Sequence, residues 1–174
     1  VLGEADVALT PQIGGEVEIT VDVSDTFYID ILATATAEGD ATLLIGTGEL
    51  LVTIEGNAEF IENTDFTYWN WWGMGVATNN SEYVDSKTLR IGSNYVGTTE
   101  MFMMPLPDAV NGNLAIDHIG VHCTGAGNVT ITVATAAVAK PWGNVFIMST
   151  SEGAVADMDA LGGSVLVHQV PEPM

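Results

Sequence analysis

Apolar and polar residues alternate with a period of two along most of the chain. In 16–23, carboxylate and hydroxyl side chains alternate with valine and isoleucine. Successive side chains of a β-strand point to opposite faces, so this alternation predicts strands with one buried face and one exposed face. The predicted strands are 16–23, 27–36, 50–54, 58–61, 88–91, 114–124, 129–133, 145–148 and 165–168.

Residue types favoured in tight turns separate these strands. The separators are Gly14-Gly15, Ser24-Asp25, Gly39-Asp40, 55–57 and 125–128. Glycine supplies positive φ in such turns, and asparagine and aspartate bond to the nearby backbone. About nine to eleven strands at this spacing predict an all-β fold, an antiparallel β-sandwich of jelly-roll-like type. No repeat or linker divides the chain, so we expect a single domain over 1–174.

One short helix is expected near 151–161. Ser151 is a favourable N-cap residue. The apolar residues that recur at helical spacing are Ala154, Val155, Met158 and Leu161. Gly162-Gly163 would then end the helix, because glycine commonly follows a helix C-terminus.

Composition excludes several classes of partner. The 174 residues include 3 Lys and Arg against 23 Asp and Glu, for a formal net charge of −20. Nucleic acids and anionic membrane surfaces require a cationic face, which so few basic residues do not provide. Hydrophobic residues make up 47% of the chain, yet no run of 18 apolar residues occurs, so no membrane span is predicted.

Two short segments resemble known bacterial surface proteins. Segment 167–174 contains Pro171-Glu172-Pro173 and resembles the sorting junction of PEP-CTERM proteins, where this motif precedes an apolar helix and a basic tail read by an exosortase. Segment 121–129 resembles a late hairpin of cohesin-like sandwiches that carry this signal. The resemblance implies a cohesin-like fold and export to the cell surface or exopolysaccharide matrix. We expect the chain to start after a removed signal peptide and to end at 171–174, the remnant of a removed anchor.

The sequence carries no recognisable catalytic motif. Ser93 lies in a segment without the G-x-S-x-G nucleophile elbow, and the acidic residues are numerous enough to form carboxylate pairs by chance. We therefore expect no enzymatic activity. Cys123, the only cysteine, alternates with Val121 and Ile119 on the apolar face of a predicted strand. It is predicted to be buried and unpaired.

We expect no cofactor, and calcium is the alternative that the acidic residues leave open. Asp22, Asp25 and Asp30 flank a turn, and Asp157 and Asp159 lie near the end of the expected helix; carboxylates in turns are suitable Ca²⁺ ligands. A histidine site is disfavoured. His118 and His122 share one strand face but are roughly 13 Å apart, so we expect exposed histidines without a metal.

An aromatic segment is the strongest candidate for a contact surface. Tyr68, Trp69, Trp71 and Trp72 lie within five residues, and a strand would divide their rings between two faces. Bulky rings on both faces of a strand favour a subunit contact or a surface that stacks on sugar rings. The alternative is that they fill the core. Asn79 and Asn128 begin N-x-Ser/Thr sequons and are candidate glycosylation sites.

Three functions fit these observations. The favoured one is a secreted structural protein that assembles into a homopolymeric filament or matrix by exchange of a terminal strand, either 6–10 or 164–168. The second is a cohesin-like or carbohydrate-binding adhesion module of the exopolysaccharide matrix. The third is an unrecognised hydrolase.

Overall fold

The computed structural model describes residues 6–35, 42–45, 48–62, 77–79, 82–95, 104–105, 108–109, 112–135, 147–151 and 154–171. These residues form two β-sheets and contain no helix. The strands are β1 (Asp6–Gln12), β2 (Glu18–Asp22), β3 (Thr26–Ala35), β4 (Thr42–Ile45), β5 (Gly48–Glu55), β6 (Ala58–Phe60), β7 (Ala77–Asn79), β8 (Glu82–Asp85), β9 (Thr88–Tyr95), β10 (Met104–Pro105), β11 (Asp108–Ala109), β12 (Gly112–Cys123), β13 (Gly127–Thr135), β14 (Ile147–Ser151), β15 (Ala154–Leu161) and β16 (Gly163–Val170).

The first sheet has nine strands and the second has seven. The order in the first sheet is β10-β4-β14-β15-β1-β3-β12-β11, with β6 also paired to β12. The order in the second is β2-β16-β13-β5-β9-β7, with β8 also paired to β9. All of these pairings are antiparallel except β1 with β15 and β2 with β16. The predicted all-β, largely antiparallel sandwich is confirmed.

The core between the sheets follows the alternation seen in the sequence. β3 contributes Phe27, Ile29 and Ile31 from the first sheet, and β13 contributes Val129 and Ile131 from the second. Their neighbours in sequence, such as Tyr28 and Thr132, are exposed on the outer faces. β-branched residues suit such half-buried strands because their restricted side chains pack well on a pleated surface.

Most of the short glycine-containing turns cross between the sheets. β12 belongs to the first sheet and β13 to the second, so segment 121–129 is an arch and the predicted hairpin is wrong. Asn57 holds this arch: its carbonyl accepts from Thr124 N at 2.9 Å and its Nδ2 donates to Ala126 O at 3.0 Å. The apolar residues on either side of the arch therefore face each other across the core.

The helix expected near 151–161 is wrong. Ala154–Leu161 forms β15, which pairs antiparallel with β14 and parallel with β1. Backbone partners on both sides outweigh the helical spacing of the apolar residues.

Gly162 and Gly163 carry the chain from the first sheet to the second. A Cβ on Gly162 would lie 2.2 Å from Val133 O, and one on Gly163 would lie 2.6 Å from Leu9 O. Neither backbone oxygen can yield as a flexible side chain could. The two glycines thus permit a close crossing, where the sequence had suggested a helix stop.

Candidate functional site

The N-terminal strand β1 lies inside the first sheet. It pairs with β3 from Val7↔Ala35 to Gln12↔Asp30 and with β15 from Asp6↔Asp159 to Ala8↔Leu161. β3 follows β1 after β2, whereas β15 is distant from β1 in sequence. Release of β1 would therefore leave a slot bordered by two unpaired strand edges.

Leu9 fixes β1 in this slot. Its side chain is 1% exposed and belongs to the core cluster, while Pro11 and Gln12 are also buried. Full burial of a leucine is worth about 1.5–3 kcal/mol. The strand thus contributes the Leu9 anchor and a backbone ladder to the sandwich.

A tight glycine turn joins β1 to the second sheet. Gly14 and Gly15 have φ of 59° and 90°, and Ile13 and Glu16 exchange backbone hydrogen bonds of 2.9 and 3.1 Å across them. Positive φ at both central positions characterises the type I′ turn. No atom lies within 4 Å of a Cβ built on either glycine, so open space surrounds the turn.

The C-terminal strand β16 is held more extensively. It pairs with β13 from Gly127↔Gln169 to Val133↔Gly163 and with β2 from Leu166↔Glu18 to Val170↔Asp22. Only Gly162 separates it from β15. β16 therefore cannot leave its place without disturbing β15.

Three polar side chains meet on the outer face of the second sheet. His168 Nδ1 lies 2.9 Å from Asn128 Oδ1, and its Nε2 lies 2.7 Å from Glu18 Oε1. Both ring nitrogens of His168 therefore have a polar partner on a neighbouring strand. The contact was not predicted, because it depends on β13, β16 and β2 being neighbours.

Several predicted site residues lie outside the described part of the chain. They are Tyr68, Trp69, Trp71, Trp72, Glu172 and Pro173. Pro171 follows β16 and is exposed. Asn79 lies in β7 opposite Ser93, and Asn128 is exposed on β13. Their glycosylation stays a prediction.

Cys123 is buried, as predicted. Its side chain is 1% exposed, faces the core from β12, and forms no disulfide. Burial raises the pKa of the thiol, and the nearby Asp25 carboxylate raises it further. The thiol is therefore protonated and shielded at neutral pH, the opposite of what a nucleophile needs.

Two of the acids proposed as calcium ligands hold the backbone. Asp25 Oδ2 accepts from Asp22 N at 3.0 Å, and Asp30 Oδ1 accepts from His118 N at 3.1 Å. Within the described ranges, no group of three or more His, Cys, Asp or Glu residues is placed to hold a metal ion. The backbones of Asp157 and Asp159 lie in β15 instead of at a helix end. Calcium binding stays an untested alternative.

An aromatic pair was missed in the sequence. The rings of Tyr28 and His118 stack with centroids 3.9 Å apart and planes 8° apart. His118 has φ of 62° and lies at a β-bulge in β12, and Tyr28 is 38% exposed. Both His118 and His122 are exposed, as expected. The pair depends on the pairing of β12 with β3, so the sequence gives no local signal for it.

Comparison with known proteins finds loose structural similarity only. No protein-family model matches the chain, and no curated protein sequence matches it. It is similar to a cohesin module from a Clostridium perfringens family 33 glycoside hydrolase (15% identity, 94% of this chain and 98% of that one, TM-score 0.46). It is also similar to a type I cohesin–dockerin complex from Clostridium thermocellum (8% identity, 97% of this chain and 100% of that one, TM-score 0.45). A third similar structure is the seventh ScaB type I cohesin of Pseudobacteroides cellulosolvens (9% identity, 98% of this chain and 95% of that one, TM-score 0.43). No helix in the described part of the chain is long and apolar enough to span a membrane.

Proposed function

We propose that this chain is a non-catalytic structural protein of the bacterial cell surface or extracellular matrix, and that copies of it associate by exchanging strand β1. The position of β1 carries the proposal. It is inserted between β3 and β15, and its Leu9 side chain is buried in the core. A β1 from a neighbouring copy can form the same ladder and fill the same pocket.

The segments that connect the two strands to the rest of the chain favour β1 over β16 as the donor strand. Gly14-Gly15 is surrounded by open space and has the conformational freedom that a hinge requires. β16 pairs with β13 from Gly163 to Gln169 and with β2 from Leu166 to Val170, and it continues from β15 through Gly162 alone. Of the two terminal strands that the sequence suggested, β1 can exchange at smaller cost to the rest of the fold.

A truncated variant tests the proposal. A chain lacking residues 1–12 retains the slot but not the donor strand. We expect it to remain unassembled and to shorten polymers of the full-length protein when mixed with it, because it accepts a strand and donates none. A synthetic peptide of residues 5–13 should fill the slot and abolish this capping effect.

Removal of residues 1–4 alone is the matched control, since it spares β1. The measurements are sedimentation velocity and negative-stain electron microscopy, with circular dichroism to confirm the fold. Polymers formed by the variant lacking 1–12 would contradict exchange of β1. Full-length protein that stays monomeric under all conditions would contradict self-assembly itself.

The Tyr28–His118 pair favours a second candidate function, carbohydrate binding. Flat exposed rings on a sheet face can stack on the apolar faces of sugars. Tyr28→Ala should then weaken retention on an extracellular polysaccharide column while leaving assembly intact. Val84→Ala, at another exposed apolar residue, is the control.

A further inference from the structure

Strand β2 forms an open edge of the second sheet. It pairs with β16 on one side, and no strand of the described residues pairs with it on the other. Two hydrogen bonds to β16 show which residues face inward: Val17 O accepts from Leu166 N, and Val23 N donates to Val170 O, both at 2.9 Å. In a parallel ladder, alternate residues direct both backbone groups to the same side.

Glu18 and Thr20 consequently direct their N–H and C=O groups away from the sheet. On either side of these two residues, the outward backbone groups already have hydrogen-bond partners within the chain. Asp22 N donates to Asp25 Oδ2 and Asp22 O accepts from Asp25 N, while Glu16 N and O bond to Ile13. The edge therefore offers two donors and two acceptors, enough for a short added strand.

The side chains of this edge form two rows of different chemistry. On the core side, Ile19 and Val21 are partly buried against the core, and Val17 is 49% exposed. On the outer side, Glu18 and Asp22 are exposed. An added strand would extend the apolar row with one set of side chains and face carboxylates with the alternate set.

We infer that this edge binds an extended segment of a different protein, in which apolar residues alternate with lysine or arginine. Charge selects this partner over a second copy. The chain has a net charge of −20, and like charges on adjacent strands disfavour pairing. Its basic residues are Lys87, Arg90 and Lys140, and no two of them are spaced two apart as the pattern requires.

The inference does not rest on the proposed function. The slot of β1 lies in the first sheet, whereas the edge of β2 lies in the second. Loss of β1 exchange would leave the edge unchanged, and a blocked edge would leave the slot available.

The probe is a capped seven-residue peptide of alternating valine and lysine, labelled with fluorescein, and the measurement is fluorescence anisotropy with the full chain. The double variant Glu18→Lys with Asp22→Lys should bind it at least about tenfold more weakly, because attraction becomes repulsion at two positions. Glu59→Lys with Glu62→Lys changes the net charge equally at exposed residues near β6, so its binding should change by less than about threefold. Equal weakening of both variants, or no binding to the unaltered protein, would overturn the inference.

Thr20→Pro separates strand addition from simple charge attraction. It removes an outward N–H without removing a bond to β16, and proline is tolerated at such edge positions. We expect binding to weaken at least about tenfold while the fold is retained. Hydrogen exchange on the unaltered protein gives a second measurement: the peptide should slow exchange at Glu18 and Thr20 and leave Glu82 unchanged. Unchanged exchange at Glu18 and Thr20 would overturn the inference.

Discussion

At the scale of single residues, glycines serve two distinct physical purposes in this fold. Gly14 adopts φ of 59° in open space, so the backbone conformation alone favours glycine there. A Cβ built on Gly162 would lie 2.2 Å from Val133 O, so lack of space for a side chain favours glycine there. The sequence marks both positions as breaks in the pattern. It cannot distinguish them, because the atom that excludes a Cβ at Gly162 lies on a distant strand.

Gly162→Ala should lower the free energy of unfolding by about 3 kcal/mol, because a backbone carbonyl must move to admit the methyl group. Gly14→Asn is the control and should cost less than about 1 kcal/mol, since asparagine tolerates positive φ. Urea unfolding followed by tryptophan fluorescence measures both values. Equal losses would contradict the close crossing.

Cys123 shows what alternation alone can predict about one residue. Its burial followed from its spacing with Ile119 and Val121, and the structure confirms it. The effect of Asp25 on the pKa of its thiol could not be foreseen, because Asp25 lies nearly a hundred positions earlier in the chain. Asp25 O also accepts from Cys123 N at 2.9 Å.

We expect the Cys123 thiol to react slowly with a disulfide reagent at neutral pH and rapidly in denaturant. Burial blocks access, and the raised pKa keeps the thiol protonated. The unfolded chain loses this proton first as pH rises through its ordinary pKa of 9.0, so the thiol's contribution to stability falls above that pH. Rapid labelling of the folded protein would contradict the burial.

At the scale of elements, local pattern identified strands more reliably than their partners. Predicted strands such as 16–23, 50–54 and 129–133 correspond to β2, β5 and β13. The sequence marked the turns but not the strands that they join, and several of these turns cross between the sheets. Both kinds of turn use the same residue types, and only the fold decides which neighbour a strand receives. The helix predicted near 151–161 is wrong for the same reason, because the strands beside β15 decide its conformation.

The contact surface predicted for the aromatic segment, residues 68–72, stays a prediction. Trp71→Ala with Trp72→Ala should reduce assembly, because tryptophan anchors typically account for much of the apolar contact in an interface. Tyr28→Ala is the control, since that ring lies on the outer face of the first sheet. Sedimentation velocity measures the change. Intact assembly together with lost polysaccharide binding would favour the carbohydrate-binding candidate.

At the scale of the whole molecule, net charge opposes self-association. Copies of a chain with charge −20 repel each other, so assembly must gain its free energy from the backbone ladder and the Leu9 pocket. The candidate slot could not be located in the sequence. Residues 6–10 were recognised as a terminal strand, but their insertion between β3 and β15 depends on tertiary pairing that the local pattern does not reveal.

Assembly should therefore strengthen as salt is added. The Debye length shortens from about 10 Å at 0.1 M to about 3 Å at 1 M ionic strength, which screens the repulsion between subunits. Light scattering at matched protein concentration in increasing sodium chloride measures this. Polymers that dissolve as salt rises would indicate contacts held by ion pairs.

A reversible disulfide staple tests the exchange of β1 most directly. Ala8 lies opposite Thr34 in the β1–β3 ladder, and directly opposed residues have Cα atoms close enough for a disulfide. Ala8→Cys with Thr34→Cys should abolish assembly when oxidised within one chain and restore it on reduction. Thr132→Cys with Ser164→Cys staples β16 to β13 instead, and should leave assembly unchanged in both states. Polymers that grow from monomers with β1 stapled, measured by sedimentation velocity, would contradict the exchange of this strand.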